Sequence, residues 1–376
     1  MLKTSIDEIT LVLQATNKAK LKIKSPLQWM REAELIIIDF AYKAKLKKIF
    51  GNQQVEPNCP KGYVTGYKFG DHSFYFCVAY NPKNLAMGVC VKFSAQSFAY
   101  YLEKSGLEAY SFLQEIGSKR YSYRLSRCDV DVDFMNEKFT PTDIYNKIRD
   151  DKTLIYYQKE VNNEKILVVK KPKLQGFAFG KEVPSCYLGA VSSDCRLKIY
   201  DKLRDQIEKN GSKLDYFLQF DGVTRFELSL KHELAHNFTN ELLDVKDDKQ
   251  LNDLILATML QKFYFKDAKS NKEELYTSLM QQALKSNDYY LLGHINQDND
   301  LLKRFEYLLK NSGTVSTLYK IMTIWNDDDL DEAIEYIKNY VKDWKANDNC
   351  RIWLKNHTSD TKKTFKSFHD LRQKIS

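Results

Sequence analysis

The stretch YSYRLSRCDVDVDF (residues 121–134) alternates charged and apolar side chains strictly after Arg127. Side chains two apart on a strand share a face, so Asp129, Asp131 and Asp133 point one way while Val130 and Val132 point into a core. Three carboxylates in a row repel one another. A divalent cation among them would relieve that repulsion, because hard cations take oxygen ligands and supply the missing charge. A strand edge facing water is the plainer alternative for so short a motif.

Two further stretches carry the same alternation. In TRFELSLK (224–231), Arg225, Glu227 and Ser229 form one face and Phe226, Leu228 and Leu230 the other. Taken alone, Arg225 and Glu227 read as an exposed cross-strand ion pair. In DCRLKIYDK (194–202), Arg196, Lys198, Tyr200 and Lys202 alternate with Leu197, Ile199 and Asp201. A tyrosine flanked by cations on its own face is positioned for a phosphate. A phenol with a pKa near 10 is a poor nucleophile at neutral pH and needs a base, neighbouring positive charge or a metal-polarised phosphate. Lys202 and Arg196 are placed to lower that pKa and to hold the phosphate, while a carboxylate-bound metal draws charge from its oxygens. The chain has 24 tyrosines, so a structural role is the default for any one of them.

Outward from these strands, HSFYFCVAY (72–80) and MGVCVKF (87–93) read as a hairpin, and ILVVK (166–170), GFAFG (176–180) and SCYLGA (185–190) as further strands. Residues 1–50 read as two helices with Trp29, Leu35, Ile36 and Phe40 on one face. A helix is expected over 97–116, capped by Ser94 or Ser97, and another from Thr140-Pro141. After residue 238 the periodicity becomes that of leucine-rich helices. The expected organisation is an N-terminal helical segment over 1–54, a catalytic domain over 55–238 and a helical C-terminal domain over 239–376 for DNA or partner recognition.

In 376 residues, 58 Lys and Arg stand against 50 Asp and Glu, a formal charge of +8 that leans toward a polyanionic partner. The excess gathers in the comb Lys18, Lys20, Lys22, Lys24, in 43–48 and in the last thirty residues. Seven cysteines without a CxxC spacing indicate neither a disulfide framework nor a zinc ribbon, which fits a reducing cytoplasm. No apolar stretch is long enough to suggest a membrane span.

In this order, RCDVDVDF, LGAVSSDCRLKIYDKLRDQ and TRFELSLK resemble the replication initiation factor family, which covers rolling-circle plasmid initiators, relaxases of some conjugative transposons and phage relatives. VKFSAQSFAYYLEK (91–104) is also similar to the family's Ser-Gly-Gln stretch, with Ala95 in the glycine position. The resemblance spans about 60–238. It implies an α+β fold built on a five-stranded antiparallel sheet with flanking helices, similar to the HUH nucleases but without their histidine pair. It implies that Tyr200 takes the 5′-phosphate of a nicked strand as a phosphotyrosine. Asp129, Asp133 and Glu227 are then the metal or active-site acids, with Lys202 and Arg225 as supporting cations. Asp131 departs from the family pattern, standing where relatives usually carry a small residue, and reads either as an extra ligand or as a sign of a shifted register. Mg or Mn is the implied cofactor. The implied partner is single-stranded or cruciform origin DNA, with a helicase and a second copy of the chain as further candidates.

Two rival readings remain. HELAH (232–236) matches the zinc-protease pattern, with His232 and His236 as ligands and Glu233 as base, or simply starts a helix. Residues 301–325 fit a helix-turn-helix, which would make the chain a non-catalytic DNA-binding protein, or an ordinary helical hairpin.

Overall fold

Alternation places Val130, Val132 and Phe134 on one side of a long strand, and that strand organises the molecule. A computed structural model describes residues 1–161, 164–209, 211, 213–284, 301, 305, 308–309, 314–345, 354, 358, 361–362 and 365–373. The main sheet holds β1 (Leu2–Ala15), β2 (Gln53–Val55), β3 (Thr65–Phe69), β4 (Phe76–Tyr80), β5 (Val89–Phe93) and β6 (Tyr121–Met135). Its remaining strands are β9 (Leu174–Phe179), β10 (Glu182–Leu188), β11 (Cys195–Asp201) and β12 (Val223–Lys231). Their order is β2-β3-β4-β5-β1-β6-β12-β11-β10-β9, antiparallel throughout. A second sheet pairs β7 (Thr153–Val161) with β8 (Glu164–Lys170) and with β13 (Tyr264–Asp267).

Helices α1 (Asn17–Lys22), α2 (Pro26–Lys43), α3 (Leu46–Ile49), α4 (Ala95–Ser105) and α5 (Ala109–Glu115) lie in the first part of the chain. They are followed by α6 (Pro141–Arg149), α7 (Lys202–Glu208), α8 (Leu214–Phe217), α9 (His232–Asp244), α10 (Asp248–Lys262) and α11 (Leu275–Ala283). Thr140 opens α6 with a capping box, its hydroxyl accepting from the Asp143 amide while the Asp143 carboxylate accepts from the Thr140 amide. Helix α9 packs on β6, and α10 on β1 and β6. Phe238, Leu254, Ile255 and Met259 thereby meet Val130, Val132, Phe226, Leu228, Leu197 and Ile199 in one core. Burial of this apolar face is the main favourable term holding helices to sheet.

The α+β antiparallel architecture stands, but the sheet has ten strands where five are expected. The largest correction concerns residues 2–15, read as helix and found as β1, paired with both β5 and β6. A bulge between Ile6 and Glu8 sets buried Ile6 and Ile9 three residues apart, which mimics helical spacing, before Ile9, Leu11, Leu13 and Ala15 resume the period of two. In α2, Trp29, Ile36 and Phe40 are buried as expected, whereas Leu35 faces solvent. The helix expected over 97–116 breaks at Gly106, which has φ 70° and closes α4 with a bond from its amide to the Leu102 carbonyl.

The chain forms two compact units, and α9, α10 and α11 belong to the unit Met1–Gly293 that contains the sheet. That differs from the boundary expected at 238, because these helices carry the apolar side chains that cover the sheet. The unit His294–Ser376 contains α12 (Thr314–Ile324) and α13 (Asp327–Asp343). Asn326 caps α13, and Asp327, Asp328 and Asp329 sit in its first turn, where the helix dipole favours negative charge. Most of the first helix and the turn of the helix-turn-helix reading, and much of the basic tail, fall on residues outside those described. Among the described residues no helix is long and apolar enough to cross a membrane.

Candidate functional site

Register turns three alternating sequences into rows across the sheet. Tyr200 of β11 lies opposite Arg225 of β12, which lies opposite Asp133 of β6. The next row is Lys198, Glu227 and Asp131, and the one after it Arg196, Ser229 and Asp129. All the polar residues singled out on these strands share the face opposite the core. Strand β1 extends the rows: Lys3 stands opposite Asp133, Ser5 opposite Asp131 and Glu8 opposite Asp129.

The carboxylates are buried, with Asp131 at 0% exposure, and arginines neutralise them. Arg225 grips Asp133 through two bonds, Nε to Oδ1 at 2.6 Å and Nη2 to Oδ2 at 2.7 Å, and its Nη1 lies 2.9 Å from Asp131 Oδ2. Ser5 donates to the other Asp131 oxygen at 2.6 Å. Arg127 holds Asp129, with Nε 3.0 Å from Oδ1, and its Nη1 lies 2.9 Å from Glu8 Oε1. Burial pushes the Asp131 carboxyl up to about 7 against the opposing pull of Arg225, and raises Asp129 against Arg127. Burial alone would lower the Arg225 guanidinium, but Asp131 and Asp133 outweigh it and keep it charged.

The repulsion expected to call for a metal is thus met by guanidinium groups. Among the described residues no three His, Cys, Asp or Glu are grouped to hold an ion. Asp129, Asp131, Asp133 and Glu227 as they stand do not fit a metal cage.

Tyr200 is 4% exposed yet lies outside both hydrophobic clusters, because its surroundings are charged. Its hydroxyl donates to Glu227 Oε2 at 3.1 Å and receives Lys202 Nζ at 3.5 Å. Lys198 Nζ sits 3.7 Å from the ring centroid. Burial and then Glu227 raise the phenol well above its ordinary value, overriding Arg225. The lowering expected from Lys202 and Arg196 is therefore not what the environment produces. Arg196 lies instead over the Tyr187 ring, 3.9 Å from its centroid. Burial, and then Arg225, lower the Lys202 ammonium against the pull of Asp205, and burial raises Glu227 against Lys198. A cleft of about 280 Å³ opens beside Tyr200, lined also by Lys198, Ser185, Tyr187 and Phe177.

Ser5, Asp7 and Glu8 escaped the sequence reading. The bulge in β1 adds Asp7, whose Oδ1 is 3.7 Å from Arg225 Nη1, and turns Glu8 toward Arg127. The signal available was the alternation from Ile9 onward, which continues backward once one extra residue is allowed.

HELAH opens α9, with His232 at φ 48° and its side chain 3.9 Å from Asp194. His236 is half-buried and pushed down to about 4 by burial, Arg124 and His232. Among the described residues no third ligand joins this pair.

An antiparallel α+β sheet that buries a tyrosine in a charged face defines a class of fold and site and leaves the lineage open. The profile of the replication initiation factor family matches residues 123–337, more than half of the chain, including β6 from Tyr123 onward and all of β11 and β12. The chain belongs to that family. A solved structure, a rolling circle replication initiator protein from Geobacillus stearothermophilus, is similar at 17% identity and TM-score 0.49, covering 76% of this chain and 97% of that one. No curated protein matches.

Proposed function

We propose that this replication initiation factor nicks one strand of DNA at an origin and becomes joined to the 5′-phosphate through Tyr200, as a rolling-circle initiator or relaxase does. The contact between the Tyr200 hydroxyl and Glu227 carries the reading, since it pairs a nucleophile with a base inside a cationic pocket. Glu227 takes the phenol proton, the phenolate attacks phosphorus, and the phosphodiester bond to the 3′-oxygen breaks. That oxygen leaves and takes a proton from solvent, while the bond energy stays in the phosphotyrosine until a free 3′-hydroxyl reverses the step. Lys202 balances the phenolate, and Lys198 and Arg196, which have no carboxylate within ion-pair distance among the described residues, are free for the phosphate.

Mg or Mn is implied by the family resemblance alone. Asp129, Asp131, Asp133 and Glu227 carry an ion only if Arg127 and Arg225 are displaced from the acids they pair with, and loss of nicking on EDTA treatment tests for one. Helices of the 239–376 region are assigned to DNA or partner recognition, with a helicase and a second copy of the chain as candidates, and action in the cytoplasm. Tyr200→Phe should bind DNA yet form no nick; a variant that still cuts would sink the proposal. The same variant separates the rivals, since a pure DNA-binding protein or a zinc protease would lose nothing.

A further inference from the structure

We infer that the outer hairpin β9–β10 is a base-stacking platform that holds unpaired nucleotides beside Tyr200, so that the strand engaged is single-stranded. The inference rests on Tyr200 being the point of DNA engagement.

Ser185 of β10 lies opposite both Tyr200 and Phe177 of β9, so Phe177 and Tyr200 stand in one row with only a small side chain between them. Two strand spacings put Phe177 roughly 10 Å from the Tyr200 position. β9 ends the sheet, and its alternation sends Phe177 and Phe179 to the charged face, 53% and 71% exposed. Tyr187 meets Phe177 edge to face, with centroids 5.7 Å apart. Isolated exposed rings are common on protein surfaces, but here two exposed rings and the half-buried Tyr187 gather beside a cleft already lined with cations.

Those cations interleave with the rings. Arg196 lies over Tyr187, and Arg204 lies 5.2 Å from the Phe179 centroid. The Arg196 Nε is buried with no hydrogen-bond partner among the described residues, a donor left over for an anionic oxygen. The acids lining the cleft are already engaged: Asp205 by Lys202 and Lys209, Glu208 by Arg204, and Asp201 as the cap of α7. Gly176 fixes the edge strand, because a Cβ there would lie 2.6 Å from the Tyr145 ring of α6. A patch holding the exposed rings of Phe177 and Phe179 and the half-buried Tyr187, interleaved with guanidinium groups, matches the chemistry of a single strand, whose bases stack on aromatics while its phosphates meet cations. A duplex keeps its bases stacked on one another and offers these rings nothing.

The test compares a labelled twelve-nucleotide oligothymidylate with an abasic backbone of equal length and charge, by fluorescence anisotropy on the full chain. Wild type should prefer the base-bearing strand, and Phe177→Ala should cut that preference roughly five- to a hundredfold. Phe177→Trp should keep it, and Phe177→Ala should leave abasic and duplex binding unchanged. Unchanged thermal melting confirms that this exposed edge position leaves the fold intact. Equal wild-type affinity for the two strands, or an equal loss on both in Phe177→Ala, overturns the platform. The nicking proposal fails separately: a chain that keeps base preference yet never forms an adduct at Tyr200 sinks that reading and leaves the platform.

Discussion

The two faces of strands β6, β11 and β12 both bury side chains and are chemically opposite. On one, Val132, Phe226, Leu228 and Ile199, all at 0% exposure, press against α9, α10 and their neighbours. On the other, Asp131, Asp133, Arg225 and Tyr200, at 5% exposure or less, are satisfied by ion pairs and hydrogen bonds. Apolar burial stabilises outright, whereas a buried ion pair roughly cancels its own desolvation cost and is weak evidence for stability. The first face holds the fold. The second is better explained by what it does, because similar volumes of apolar side chain would serve stability as well.

Substitutions on either side sharpen this contrast. Phe226→Ala should cost about 3–5 kcal/mol in chemical denaturation, the ordinary penalty for an emptied aromatic site, while the folded fraction still binds DNA. A small shift in midpoint would mean that the apolar face is not the main support. Arg225→Ala should cost about 3 kcal/mol, because Asp131 and Asp133 are left buried without a countercharge. Adding Asp131→Asn and Asp133→Asn should recover most of that loss, and no recovery would break the ion-pair account. Glu227→Gln should leave the melt nearly unchanged and slow nicking roughly a hundredfold. The sign of the pH dependence follows from the raised Glu227 carboxyl. Below its pKa the group is protonated and cannot accept the phenol proton, so nicking climbs as pH rises through that value, and Glu227→Gln flattens the climb. An unchanged pH profile in the variant would remove Glu227 from the role of base.

Much of this contrast is written in the residue order. A period of two assigns Asp129, Asp131, Asp133, Arg225, Glu227 and Tyr200 to one face, and the registers put them there. What alternation does not reveal is which strand lies beside which, so the pairing of Arg225 with Asp133 and Asp131 stayed hidden and a metal took its place. β1 was lost to a single bulge. Phe177 read only as part of a short strand, since its exposure follows from β9 being the last strand of the sheet, a property of order in space rather than in sequence.

The most direct measurement is to trap the protein on a nicked origin strand, digest it with trypsin and locate the nucleotide adduct by mass spectrometry. The account predicts the phosphate on Tyr200, in the tryptic peptide Ile199–Lys202. An adduct on another tyrosine, or nicking with no adduct, would contradict it.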